Sequence, residues 1–387
     1  MNHARSDAAV AVLAGPDGPE LYVIGGRNTT GTALGVVERY VVAEGEWEPV
    51  ASLREERYSA AAAVLNGQIV LMGGKEDDGR ATDDVEVYVR GENDWESFSS
   101  MDRERNGPAA AVLNGWIYAL GGAGEDGAFL ETCEYYDPND EAWYVYDPWT
   151  LDPGRASFGA VAVGGSVYMA GGFTQLGPVA LFERYDLGNG STTLAPLSSP
   201  RGRLALVSTD EAFGDDLFAI GGEEADGAVS TVERYDIDRG VWETVAPLQT
   251  PRSGAVAAYI DGAIYVVGGR DEVGNALHTM EVLQFPVDDE DGAAPTTFAL
   301  EAAYPNPFSD RTTLTLRLAE AGPATLTVYD VQGRRVATLA DGPVAAGEQR
   351  MTWDGTAADG RPLPAGVYVA RLAGPTGQAV IKLTLLR

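Results

Sequence analysis

A pair of adjacent glycines, preceded by a short apolar run, recurs six times along the chain: LYVIGG, IVLMGG, IYALGG, VYMAGG, LFAIGG and IYVVGG. The pairs are Gly25-Gly26, Gly73-Gly74, Gly121-Gly122, Gly171-Gly172, Gly221-Gly222 and Gly268-Gly269, at intervals of 48, 48, 50, 50 and 47 residues. A period of this length, with several strand-like runs inside each copy, predicts one four-stranded blade per repeat, since each unit buries its apolar faces only by stacking on its neighbours. Composition agrees. Val, Thr, Tyr and Trp lie in short runs bounded by Gly, Asp and Asn, Gly accounts for 48 of 387 residues, and no long stretch has a helical period.

Other markers keep step with the glycines. After each pair a polar loop leads to a strand with a glutamate at a fixed place: Glu38, Glu86, Glu134, Glu183, Glu233 and Glu281. Seven residues beyond the aromatic of four copies stands Trp47, Trp95, Trp143 or Trp242, while the fourth copy has Thr192 there. Before each following pair comes an arginine: Arg5, Arg57, Arg105, Arg155, Arg201 and Arg252. Taken together these residues resemble the kelch motif over residues 1–287. The resemblance implies an all-β, six-bladed kelch β-propeller, with the glycines allowing close backbone approach and the Tyr and Trp filling the wedges between blades.

Counting back from the arginines, Met1 falls where Leu53, Met101, Leu151, Leu197 and Leu248 fall, at the end of a fourth strand whose body is not in the sequence. The sixth copy ends after its third strand near Val287. Kelch rings are commonly closed by pairing an N-terminal strand with C-terminal ones, which leaves no open edge. The expectation is that translation starts upstream of Met1, with an export signal and the closing strand.

Residues 288–297, DDEDGAAPTT, read as an acidic and small-residue linker. Residues 298–387 carry a second β pattern of short strands, expected to form an immunoglobulin-like sandwich. YPNPF at 304–308 (Tyr304, Pro305, Asn306, Pro307 and Phe308), VYDVQGRRVATL, WDG, GVYVARL and the terminal IKLTLLR resemble, in that order, the C-terminal sorting domain of the type IX (Por) secretion system. Flagellar hook-capping proteins carry a related sandwich. The sorting resemblance implies export, the secretion machinery as a partner, and an extracellular or outer-membrane surface location.

The net charge of −31, from 58 acids against 27 bases, repels nucleic acid and anionic membranes. No apolar run is long enough for a helical membrane span. Cys133, the one cysteine, rules out an internal disulfide, and in TCEYYD it takes the place of Val in TVERYD, a small core position. A copper-radical oxidase on a kelch propeller needs two histidines at the metal, and here only His3 and His278 exist. No metal or other cofactor is expected, and the acidic pairs Asp77-Asp78 and Asp83-Asp84 lie outside any calcium-loop pattern. No nucleophile motif or phosphate loop is present.

The six repeated arginines, with Arg27, Lys75 and Arg270 directly after three of the glycine pairs, are placed by the resemblance on one face around the central channel. There they would form a positive mouth for a carboxylate, a sulfate or an acidic peptide. The competing reading is that each arginine pairs with a repeated glutamate and serves the scaffold. Tyr58, Phe129, Phe158 and Phe173 are candidates for stacking a sugar or peptide. The expected function is a secreted or surface-attached binding module for a glycan or a protein. The alternatives are a sugar-active enzyme, such as a sialic-acid-type epimerase or mutarotase, and a structural adhesion component.

Overall fold

The computed structural model describes residues 1–16, 18–209, 215–284, 299–304, 308, 311–318, 321–330, 334–345, 347–357, 361–374 and 377–385. Two compact units are present, 1–285 and 286–387.

In the first unit each repeat folds into an antiparallel meander. Blade one runs Ala9–Gly15, Gly18–Ile24, Val37–Val41 and Glu46–Val50, with chain neighbours adjacent in the sheet. Blades two to five repeat this order. Blade six has three strands among the described residues: Val256–Ile260, Ala263–Val267 and Met280–Gln284. It packs against blade one through Val256, Ala258 and Ile260 on Leu21 and Val23, so the six blades form a closed ring. The innermost strands carry small residues, such as Ala9, Ala11, Ala61, Ala63, Ala109 and Ala111, because six strands converge on the axis and leave little room.

The glycine pairs are needed where the second strand of each blade meets the arginine segment. Gly25 and Gly26 have φ of 60° and 98°, which only glycine adopts without strain. A Cβ on Gly25 would lie 2.6 Å from the Arg57 carbonyl oxygen. That approach lets the Gly26 N–H donate to the same carbonyl, and the equivalent bond recurs in all six blades at 2.8–3.0 Å. In the sixth blade the acceptor is Arg5, so the N-terminal segment takes part in the seam. Met1 keeps the register expected of it: its amine donates to the His278 carbonyl, as the N–H groups of Leu53 and Met101 donate to Gly35 and Asp83.

The wedges between blades hold the Tyr–Trp pairs Tyr40–Trp47, Tyr88–Trp95, Tyr136–Trp143 and Tyr235–Trp242. Trp95, Trp143 and Trp242 each donate an indole N–H to a carbonyl of the preceding blade, on Ala51, Ser99 and Ala195. Blade four has no Trp of its own. Trp149, at the blade-three position corresponding to Ala51 and Ser99, instead stacks on Tyr185 of blade four at 3.9 Å with the rings 4° apart. One neighbour supplies the ring that the other lacks.

The second unit is a sandwich of two antiparallel sheets. Ala299–Tyr304, Thr312–Leu318 and Gly347–Trp353 form one; Arg335–Val344, Gly322–Asp330, Gly366–Gly374 and Gly377–Leu385 form the other. Leu314, Leu316, Leu326, Val328, Trp353 and Leu383 meet in its core. Of the YPNPF motif, Tyr304 ends a strand and Phe308 is buried against Trp353, at 5.5 Å between ring centroids. Pro305, Asn306 and Pro307 lie outside the described residues, as does the linker 288–297.

Candidate ligand-binding mouth

The six repeated arginines do not line a mouth. Each is at most 1% exposed and spans two blades. Its carbonyl receives the glycine-pair N–H of the blade before it, and its guanidinium pairs with the repeated glutamate of the blade after it: Arg5 with Glu38, Arg57 with Glu86 (2.5 Å), Arg105 with Glu134 (2.8 Å), Arg155 with Glu183 (2.6 Å), Arg201 with Glu233 (2.6 Å) and Arg252 with Glu281 (2.9 Å). Arg105 adds bonds to the Gly121 and Thr132 carbonyls at 2.6 and 2.8 Å, and Arg252 does the same with Gly268 and Thr279 at 2.6 and 3.1 Å. Their expected role in holding a ligand is therefore corrected to a scaffold role: each guanidinium is sealed between blades and ion-paired to a buried glutamate, out of reach of a ligand, even where individual nitrogens of Arg5, Arg155 and Arg201 lack a hydrogen bond.

Two residues beyond each arginine the chain reaches the central axis, at Asp7, Ser59, Gly107, Ser157, Arg203 and Gly254. All six have positive φ, between 49° and 65°. Their backbones form a closed circle of hydrogen bonds: Asp7 N–H to Gly254, Gly254 to Arg203, Arg203 to Ser157, Ser157 to Gly107, Gly107 to Ser59 and Ser59 to Asp7, at 2.7–2.9 Å. This circle is the neck of the axial channel, a cavity of ≈ 200 Å³ lined further by the first residues of the innermost strands. Around it stand the residues following the glycine pairs, each bridged to the residue just before the neck: Ser6 with Arg27, Tyr58 with Lys75, Asn106 with Ala123, Ala156 with Phe173, Gly202 with Glu223 and Ser253 with Arg270.

The backbone here is six-fold but the side chains are not. On the side of blades two to four the neck itself is small and neutral, with Ser59, Gly107 and Ser157, and Lys75 is the one charge among the residues directly around it, beside Tyr58, Asn106, Ala123, Ala156 and Phe173. On the side of blades five, six and one, three arginines and two carboxylates converge. Arg27 Nε lies 2.7 Å from Asp7 Oδ2, Arg203 Nε lies 3.3 Å from Asp7 Oδ1, and Arg203 Nη1 donates to Glu223 Oε2 at 2.7 Å. The Ser6 hydroxyl donates to Asp7 Oδ2 and the Ser253 hydroxyl to Glu223 Oε2, each at 2.8 Å and each to the oxygen that an arginine also contacts. Arg270 is left over. Its Nε and Nη2 are buried and have no hydrogen-bond partner. Burial pushes its pKa down, and Arg27 and Arg203 add to the effect by repulsion. Arg203 titrates above its ordinary value, because Asp7 and Glu223 outweigh its own burial.

Of the remaining predicted residues, Lys75 is half-buried beside Tyr58, whose ring carries the Arg27 guanidinium at 5.0 Å. Phe173 is half-buried under Arg203 at 5.6 Å. Phe158 is core, beneath Arg155, and Phe129 pairs with Ala123 in the blade-three loop. Asp77 Oδ1 accepts the Ala33 N–H of blade one at 2.5 Å, tying blade two to blade one. Cys133 is fully buried, and burial pushes its thiol up to about 12. Sequence reasoning missed Asp7, Arg203 and Glu223. Aligning the residue two after each arginine gives Asp, Ser, Gly, Ser, Arg and Gly, in which Asp7 and Arg203 are the only charges.

Kelch-repeat models match residues 2–172, as the KLHDC2/KLHL20/DRC7 kelch-repeats domain, and residues 209–249 and 251–285, as the kelch motif. The FlgD Ig-like domain matches residues 306–378. Human Kelch-like protein 33 is 32% identical over 133 residues, which is 33% of this chain and 24% of that protein. The F-box/kelch-repeat protein At5g26960 of Arabidopsis thaliana is 30% identical over 117 residues, 30% of this chain and 25% of the relative. The chain thus spans about a quarter of the length of these curated relatives. A solved structure of YjhT superposes with a TM-score of 0.64 at 17% identity, covering 74% of this chain and 97% of that one, a likeness of fold.

Proposed function

Since the chain is a kelch-repeat β-propeller followed by an immunoglobulin-like domain, we propose that it is a binding module whose mouth takes an anionic ligand, the carboxylate of an acidic peptide or of an acidic sugar. The observation that carries this reading is Arg270. Two buried, unpartnered guanidinium N–H groups are costly, and a ligand carboxylate arriving between Arg270 and Arg27 would satisfy them with charge-assisted bonds. In a chain of net charge −31, this arginine-rich half of the mouth also marks where an anion would be drawn. The test is calorimetric titration with hexaglutamate and with a galacturonate hexamer. Binding that weakens with salt and is weakened about tenfold or more in Arg270→Ala is expected. Equal binding by wild type and Arg270→Ala, or turnover of the sugar, would overturn the reading.

We further propose that residues 298–387 are a type IX sorting domain, so that the secretion machinery is the partner of the tail and the propeller works outside the cell. The ordered motifs from YPNPF to IKLTLLR support this. Native protein found at the cell surface or in the medium, with its tail removed, is the expected result of fractionation and intact-mass measurement. A tail-bearing protein confined to the cytoplasm would refute it.

A further inference from the structure

The flank of blade three differs in kind from that of blades one and five. In blade one a row across the sheet holds Glu20, Arg39 and Glu48, with Arg39 bonded to Glu48 at 2.6 Å and near Glu20 at 3.5 Å. Blade five repeats the row as Asp216, Arg234 and Glu243, with Arg234 and Asp216 at 2.5 Å. The same places in blade three hold Trp116, Tyr135 and Tyr144. Trp116 stacks on Tyr135 at 4.8 Å and 14°, Tyr135 meets Tyr144 at 5.5 Å and 31°, and Tyr146 stands edge-on to Tyr135 at 5.6 Å. Trp116, Tyr135 and Tyr146 are half-buried, and Tyr144, on the outermost strand Ala142–Thr150, is 39% exposed beside Val145 at 41%.

An aromatic row with its outer ring exposed, where blades one and five carry ion pairs, offers an apolar face to a ligand. The strand itself does not invite another strand. Its pairing with Thr132–Asp137 shifts register between Val145 and Thr150, and such a bulge turns an edge away from strand addition. The acids Asp140, Glu141 and Asp147 sit at both ends of the aromatic segment, so an antiparallel second copy would set acid against acid, and an anionic ligand is repelled. What remains open is the face of the rings, rimmed by phenol hydroxyls and carboxylates. Tyr144 Oη already donates to Asp140 Oδ2 at 3.2 Å.

We infer that the flank of blade three, on Trp116, Tyr135 and Tyr144, is a binding site for a neutral pyranose oligosaccharide, separate from the mouth. The C–H face of a pyranose ring carries slight positive charge and packs on the negative face of an aromatic ring, while its hydroxyls donate to Asp140 and Glu141. Cellohexaose, maltohexaose and a chitin hexasaccharide, titrated against the full chain by tryptophan fluorescence and calorimetry, test it. At least one should bind, with Tyr144→Ala and Trp116→Ala each weakening it about tenfold. Tyr144→Phe should retain most of the affinity and Arg270→Ala all of it. Because Tyr144 is exposed, its truncation leaves the fold intact, which circular dichroism checks. Absence of binding by all three sugars would overturn the assignment, as would binding indifferent to Tyr144→Ala. So would hexalysine binding that depends on Tyr144 where the sugars do not bind, since it would make the row a site for a basic peptide.

Discussion

Arginine occurs in this propeller in two settings that differ in symmetry. Arg5, Arg57, Arg105, Arg155, Arg201 and Arg252 repeat with the blades, are buried, and each joins one blade's glycine pair to the next blade's glutamate. Arg27, Arg203 and Arg270 follow no six-fold rule, cluster on one side of the neck, and include Arg270, which has no ion pair among the described residues. A residue repeated in every blade answers a need that every blade has, which is to be tied to its neighbours. A residue present in only some blades answers a need outside the ring. The sharpest way to break this distinction is Arg105→Ala. It leaves Glu134 buried and unpaired and frees two carbonyls, so a loss of about 3–5 kcal/mol is expected in urea unfolding. Hexaglutamate affinity per folded molecule should not change. A stable variant that no longer binds would merge the two classes of arginine into one.

The wedge at blade four offers a second comparison. Four blades use a Trp of their own to cover the Tyr of the repeat, whereas Tyr185 is covered by Trp149 of blade three, at a position that is Ala51 or Ser99 elsewhere. The wedge needs a large ring but does not dictate which strand provides it. Trp149→Ala should cost about 3 kcal/mol, as emptying a buried aromatic site does. If it costs no more than an exposed substitution, about 0.5 kcal/mol, Thr192 and its surroundings fill the wedge unaided.

These cases explain what could be read from the chain. The blades, their number and the glycine pairs were legible because close approach at Gly25 and Gly26 imposes the same residue type six times at fixed spacing. The register of Met1 was legible for the same reason. The arginines were legible as a set but not in their role: periodicity places a residue in every blade without telling a loop from an interface, and only the buried Glu partners decide between them. The mouth was the least legible part. Asp7, Arg203 and Glu223 come from different repeats and meet only because the backbone circle brings positions 7, 203 and 254 to the axis. The aromatic row of blade three is hidden for a related reason, since Trp116, Tyr135 and Tyr144 are adjacent only through sheet register.

A milder test acts on the asymmetric set. Arg270→Met keeps the aliphatic stem and removes the charge that nothing in the mouth pairs. Hexaglutamate binding should weaken about tenfold, close to 1.4 kcal/mol. Stability should hold or rise, because a cation disfavoured by its burial and by the nearby Arg27 and Arg203 is deleted. This sign is opposite to that for Arg105, and it is the sign that matters: a destabilised Arg270→Met would place Arg270 with the scaffold arginines.

The smallest expected effect concerns Cys133, which stands before the repeated glutamate where the other blades have Val, Phe or Met. If following the repeat means serving the core, this thiol should behave as a buried hydrophobe. Burial is the main cause that raises its pKa, from 9.0 to about 12, with Arg105 working weakly the other way. The folded chain then holds the thiol neutral at a pH where the unfolded chain ionises it. The resulting stability is fully present below the unfolded value of 9.0 and is lost progressively as pH rises toward 12. Between about pH 8 and pH 9.5 the wild type should therefore lose about 1 kcal/mol relative to Cys133→Val, read as the difference between two urea midpoint series. The folded protein should also resist iodoacetamide at about pH 8, since alkylation needs the thiolate and access to it. Rapid alkylation without unfolding would mean that the core of blade three opens locally, and that a position in step with the repeat can still be exposed.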